Sequence, residues 1–282
     1  MTRLPSDNLR GMDRKGAPMA AKYERIADTL RHEIRAGVYP PGDRLPTGDA
    51  LTARFKVSPG PVRQAIDLLE SEGLVESRHG LGTFVRMPRS RVRRSPERYQ
   101  WEKDRVRLPE AERQQAGPTE YDTGLDLHAL EFPVEYDTIE ASTDLAGVFD
   151  VSEGTRLLRR TYRTRQNGDD APLQLIRSHL VHEVVAANPD LLDPSKEPWP
   201  GGTQHQLHTI GIELDRIVDQ ITARPPLPDE AEGLDTGSGV SLLILRKISI
   251  DTTDRVVEVS DVLMPGDRTE LIYTTNLTRW KP

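Results

Sequence analysis

Between Lys22 and Val85 three short amphipathic stripes succeed one another closely and end in a glycine-tipped pair of strand-like runs. Tyr23, Ile26, Ala27, Leu30 and Ile34 fall at the i, i+3, i+4 spacing of a helix that Gly37 ends. After the turn Tyr39-Pro40-Pro41-Gly42, Thr47 opens a second, shorter helix with Ala50, Leu51 and Phe55 inward. Ser58 opens a third, in which Pro59 suits the first helical position; Val62, Ala65, Ile66 and Leu69 form its buried stripe and Gly73 stops it. Leu74-Val75-Glu76-Ser77, the turn Arg78-His79-Gly80-Leu81-Gly82, and Thr83-Phe84-Val85 predict two short strands around a glycine-rich tip. Such small helices share one core, so each must keep a polar face toward solvent.

The chain has 282 residues, enough for two modest domains. Residues 1–18 are polar and aperiodic and are expected to form a disordered arm, leaving 19–87 for the helices and hairpin. From 88 to 120 apolar periodicity fades and Arg89, Arg91, Arg93, Arg94 and Arg98 appear among prolines, which predicts a linker in which Arg89 to Arg94 either track phosphate or are merely solvated. Residues 121–282 carry strand-like runs at 157–165, 173–181, 241–250 and 256–264, the last two joined by the turn Asp251-Thr252-Thr253-Asp254. Helices are expected at 142–149, 182–188, 204–210 and 229–234. The fold class is α+β, with the second domain built around an antiparallel sheet.

Charge divides the chain more sharply than its net value of -7 suggests. Residues 1–107 sum to +8 and residues 108–282 to -15, so one end suits a polyanion that the other would repel. No cysteine is present, which excludes disulfides, thiolate zinc sites and cysteine nucleophiles. The seven histidines lack ligand spacing, so neither metal nor cofactor is expected. No apolar run approaches membrane length and the start lacks a secretion-signal pattern, which predicts a cytoplasmic protein without a membrane partner.

Several spaced elements together carry a family resemblance. Tyr23-x-x-Ile26-Ala27, Gly37-x-Tyr39-Pro40-Pro41-Gly42-Asp43-x-Leu45-Pro46, Val57-Ser58-x-x-x-Val62-Arg63-Gln64-Ala65 and Glu72-Gly73-Leu74-Val75-x-x-x-His79-Gly80-x-Gly82-Thr83-Phe84-Val85 resemble the winged helix-turn-helix of the GntR family. The resemblance implies that the third helix enters a major groove and the hairpin, a wing, reaches an adjacent groove or the backbone. Thr47, Ser58, Arg63, Gln64, Arg78, His79 and Gly80 are the implied DNA-contacting residues. Arg63 can hydrogen-bond guanine, clamp a phosphate, or pair with Asp67 one turn on. Ser58 can cap its helix or bind phosphate, and Gly80 lets backbone approach closely. The chain departs from the family pattern where Pro59-Gly60-Pro61 offers no hydrogen-bonding side chain, and where Asp49 stands in place of a common arginine. Base readout is therefore expected to lean on Arg63 and the wing.

Further on, Arg163-x-Arg165, Ala171-Pro172-Leu173-Gln174-Leu175-x-x-Ser178-x-Leu180, Ile221-x-Ala223-Arg224-x-Pro226, Arg255-Val256-Val257-Glu258 and Gly266-Asp267-Arg268 resemble the UTRA ligand-binding domain of the HutC branch. Arginines two apart on a strand leave one face roughly 6 to 7 Å apart, a spacing that can grip a carboxylate or phosphate. The resemblance implies an effector site of Arg163, Arg165, Ser178 and Glu258, with an insertion over 166–170. Met264 stands where sugar-phosphate sensors often carry tyrosine, so a phosphosugar is not favoured.

These residues predict a sequence-specific transcription regulator, a homodimeric repressor on a near-palindromic operator, whose affinity a small anionic effector controls. The alternative is a ligand-independent repressor whose second domain only dimerises. The UTRA fold is similar to chorismate lyase, but no nucleophile with its base and no phosphate-cradling glycine loop appears, so no enzyme is expected.

Overall fold

The computed structural model describes residues 22–87, 91–169, 171–237 and 239–280, and the chain divides into two units, one ending at Arg86 and the other made mainly of the chain from Met87 onward. The expected arm over 1–18 lies outside the described residues. Among the described residues no helix is long and apolar enough to cross a membrane.

In the first unit α1 (Lys22–Arg35), α2 (Gly48–Phe55) and α3 (Pro59–Ser71) precede a hairpin of β1 (Val75–Arg78) and β2 (Gly82–Val85). Ile26, Ala27, Leu30, Leu51, Val62, Ala65 and Leu69 meet in one core with Leu45, Val75 and Val85, as their spacing predicts. Beyond α1, Val38 N–H donates to Glu33 C=O around Gly37, whose φ of +77° a residue with a Cβ would resist. Arg54 of α2 pairs with Glu33 of α1 and fixes the crossing. Arg44 bridges to Phe84, so the stretch before α2 lies along the hairpin as a third short strand.

The second unit runs through β3 (Val92–Arg94), α4 (Glu97–Arg105), α5 (Glu110–Arg113), α6 (Pro118–Thr123), β4 (Leu130–Glu131), β5 (Val134–Glu140), α7 (Thr143–Phe149), β6 (Arg156–Tyr162) and β7 (Arg165–Gln166). It continues with β8 (Leu175–Val181), α8 (His182–Val185), α9 (Gly202–His208), β9 (Leu214–Arg224), α10 (Pro228–Gly233), β10 (Leu242–Asp251), β11 (Val256–Pro265) and β12 (Thr269–Leu271). Six strands form an antiparallel sheet in the order β5-β6-β8-β11-β10-β9. Because side chains alternate along a strand, its two faces differ. One packs Leu157, Val181 and Val259 against α7 through Leu145, Ala146 and Phe149. The other carries Arg160, Ser178, Ser260 and Lys247 in a row, since Ser178 lies opposite both Arg160 and Ser260, and Ser260 opposite Lys247.

The expected linker over 88–120 is corrected. Its described residues include β3, which pairs parallel with β12, together with α4, α5 and the start of α6, all within the second unit. The apolar pattern is missing because α4 and α6 bury charged side chains: Arg98 and Glu102 on one, Glu120 and Asp122 on the other. Arg98 pairs with Glu102 at 3.0 Å and with Asp122, so burial is compensated by ion pairing rather than by apolar contact. The phosphate-tracking expectation fails with it at Arg94, which is buried; Arg93 is exposed and pairs with Glu270 at 2.9 Å, and Arg89 lies outside the described residues.

Candidate functional site

In the first unit the sequence-predicted residues share an exposed surface. Ser58, Arg63 and Gln64 are exposed at the start of α3, beside Pro59 and Gly60. Among the described residues Arg63 makes no ion pair with Asp67, which leaves its guanidinium to solvent. Thr47 caps α2, its hydroxyl accepting from Ala50 N–H at 3.3 Å, so its first task is structural. Asp49 sits in the first turn of α2, where a carboxylate suits the helix dipole but repels phosphate.

Arg78, His79 and Gly80 are exposed at the turn between β1 and β2. Arg78 is held by Glu76 at 2.5 Å and lies over the Phe84 ring at 4.8 Å, so it is ordered along the wing. Gly80 has φ +72° with open space around it, and Gly82 has φ +115°. A Cβ on Gly82 would stand 2.5 Å from Arg44 Nε, so that glycine admits the arginine across the wing. Sequence reasoning passed over Arg44; the β-turn before Leu45 was its only local signal. A groove lined by Gly48, Asp49, Thr52, Pro59, Arg63 and Thr83 runs between α2, α3 and the wing.

In the second unit the inner sheet face opens into a cavity of about 160 Å³. Ser178 and Glu258 meet there as expected, the hydroxyl donating to the carboxylate at 2.7 Å. Arg163 and Arg165 do not. Arg163 lies past the end of β6 and pairs with Glu135 at 3.2 Å, and Arg165 on β7 pairs with Glu131 at 2.6 Å, both more than a third exposed. The arginine that reaches Ser178 and Glu258 is Arg160, 1 % exposed, whose guanidinium donates to them at 2.9 and 3.2 Å and also to Gln206 and Thr203.

The Glu258 carboxylate is saturated. Besides Arg160 and Ser178 it accepts from Ser249 at 3.1 Å and Ser260 at 3.0 Å, and Lys247 Nζ lies 2.8 Å away. Burial alone would raise its pKa, but Lys247, Arg160 and the hydroxyl donors hold it at about 2. Arg160 stays above its ordinary value despite burial, through Tyr162, Glu258 and the neighbouring groups. A second carboxylate, Glu197, accepts from Tyr136 at 2.6 Å, Tyr162 at 3.0 Å and Gln206 at 2.9 Å. Burial pushes Tyr136 up to about 12 and Tyr162 well above its ordinary value, so both phenols keep their protons and donate. Arg94 and Phe132 from the segment before β5, and Gln174, Ile176 and Trp199 from the rest of the unit, complete the wall. The arrangement provides fixed donors, acceptors and an apolar flank around one cavity, which suits binding of a small molecule.

Residues 22–85 match the model of the bacterial regulatory proteins of the gntR family, and residues 134–270 match the UTRA domain. Across 89% of this chain and 91% of the relative, an uncharacterized HTH-type transcriptional regulator of Streptomyces coelicolor is 27% identical. The histidine utilization repressor of Klebsiella aerogenes is 36% identical over 75 residues, 27% of this chain and 31% of that protein. A crystal structure of a GntR-family transcriptional regulator superposes with TM-score 0.56 at 25% identity, covering 92% of this chain and 98% of the other.

Proposed function

Since the chain belongs to the GntR family, whose members here are transcription regulators rather than enzymes, and carries the UTRA domain of the HutC branch, we propose that it is a ligand-controlled operator repressor. Two copies bind a near-palindromic operator, because one helix and wing read too few base pairs to compete with genomic DNA. In each copy the start of α3 enters the major groove, Arg63 supplies the base or phosphate contact, and Arg44, Arg78 and His79 serve the wing. The effector is a small anion in the cavity of the second unit.

The observation that carries this reading is the pairing of an exposed, uncommitted Arg63 on α3 with a partly open cavity elsewhere in the same chain, walled by apolar side chains and by buried polar groups. A ligand in that cavity touches no DNA-contacting residue, so it acts by favouring one arrangement of the two DNA-binding units over another. Linkage then requires operator DNA and effector to weaken one another by the same factor, on the order of 1 to 3 kcal/mol. The test is calorimetric titration, into free and operator-bound protein, of whichever carboxylated or phosphorylated metabolite raises the melting temperature. Equal affinity in both states would refute ligand control and leave a repressor whose second unit serves assembly.

A further inference from the structure

We propose that the segment between the two family-matched stretches, residues 91–123, sets the ligand of the cavity, and that Arg94 with Gln174 selects a small carboxylate bearing a hydroxyl or amino group. The inference rests on the cavity being the effector site and names what that site takes.

Neither family match covers residues 86–133, yet β3, α4 and α6 supply a large part of the cavity wall, including Arg94, Arg98, Glu102 and Glu120. Most charges around the cavity are already committed. Arg160 and Lys247 face Glu258, Arg98 faces Glu102 and Asp122, and Glu197 is held by two phenols and an amide. Arg94 differs. It is 5 % exposed, donates through Nη2 to Tyr99 Oη at 3.2 Å, and has no carboxylate within 4.0 Å among the described residues. Its Nε and Nη1 donors are buried without a partner in the protein.

Gln174, 3 % exposed, is the counterpart: its side-chain oxygen is a buried acceptor without a donor. Val92 and Leu173 pack in one apolar cluster, which brings the strand of Arg94 beside the segment of Gln174. Buried donors and acceptors are normally satisfied, so the two together specify a ligand group that accepts from Arg94 and a neighbouring group that donates to Gln174. Arg94 lies close enough to Asp122 to favour its charged form, so what it offers a ligand is two open donors rather than a whole uncompensated charge. A carboxylate brings one negative charge; a phosphate monoester brings about 1.5 to 2 at neutral pH, and the larger charge would face Glu120 and Glu197, which form no ion pair among the described residues. Phe132, Ile176 and Trp199 give the apolar flank.

The test uses the full chain with lactate, serine, propionate and glycerol phosphate as probes, read by melting temperature and calorimetry, in the wild type and in Arg94→Met and Gln174→Leu. Lactate or serine should stabilise the wild type more than propionate or glycerol phosphate does, and Arg94→Met should weaken that binding about ten- to hundredfold. Without any probe, Arg94→Met should melt higher than the wild type, because it removes a buried guanidinium with two unpartnered donors; Gln174→Leu should melt no lower. An Arg94→Met protein that melts lower, or that keeps its response to lactate or serine, overturns the assignment. So does a wild type that answers only to glycerol phosphate or to none of the four probes. Glycerol phosphate or another anion that raises the melting temperature and weakens operator binding equally in wild type and Arg94→Met would sink this inference while leaving ligand control standing.

Discussion

The two units hold their candidate site residues in opposite ways. In the first, Ser58, Arg63, Gln64, Arg78 and His79 stand in solvent over a core made wholly of apolar side chains. In the second, Arg160, Ser178, Lys247 and Glu258 are withdrawn from bulk water and bound to one another. A surface that meets DNA can leave its polar groups hydrated until the partner arrives, whereas a cavity must neutralise them in advance. Recognition and stability are therefore separable in the first unit and entangled in the second.

The hardest strain on that contrast is Glu258→Ala, which strands Arg160 and Lys247 in a buried site. Loss of one partner from such a cluster costs about 3 to 5 kcal/mol, and urea unfolding should show it. All three tryptophans lie in the second unit, so fluorescence follows that unit selectively. A loss below about 1 kcal/mol would mean that the cluster is hydrated and that the two units are alike.

Acid should separate them next. The folded Glu258 carboxyl lies at about 2 against an ordinary 4.5, so its contribution is fully present above pH 4.5 and is lost as pH falls toward 2. That shift corresponds to stability on the order of 3 kcal/mol. Tryptophan fluorescence of the wild type should show a destabilisation in that window that Glu258→Gln lacks; identical acid profiles would mean that the carboxylate contributes nothing there.

A smaller, cleaner effect belongs to the first unit. Arg63→Ala should weaken operator binding by about 1 to 3 kcal/mol while leaving the melting temperature unchanged, as an exposed residue on the outer side of α3 allows. If operator affinity held, the Pro59-Gly60-Pro61 entry would have turned α3 away from the groove. The smallest change is expected for Arg163→Ala or Arg165→Ala, whose exposed pairs with Glu135 and Glu131 contribute at most about 0.5 kcal/mol. Ligand response should persist in both; its disappearance would restore them to the site in place of Arg160.

Legibility divided along the same line. Local spacing alone placed α1, α2, α3 and the wing, because an apolar stripe with caps is written into consecutive residues. It also found β6, β8, β10, β11 and α7 through α10 within a few residues. It missed β9, an edge strand on which only Leu214 is buried, and where Ile217, Val218 and Ile221 stand among charged and polar neighbours and mark no single face. The helices of the expected linker escaped because their buried sides are charged. Arg160 was overlooked among neighbouring arginines because nothing local distinguishes Arg159, Arg160, Arg163 and Arg165. What singles it out is its position across from Ser178, and register between strands is a long-range fact.

The pairing of β3 with β12 bears on how this protein could be taken apart. The first strand after the wing and the last strand of the described fold close the same unit, so the second unit is not a cassette that starts at residue 121 or at the UTRA boundary. Cutting there discards Arg94, strips β12 of its pairing strand and opens one wall of the cavity. Chimeras that exchange second units between GntR-family regulators should therefore join the chains between Arg86 and Arg91, where a seam spares both the wing and β3.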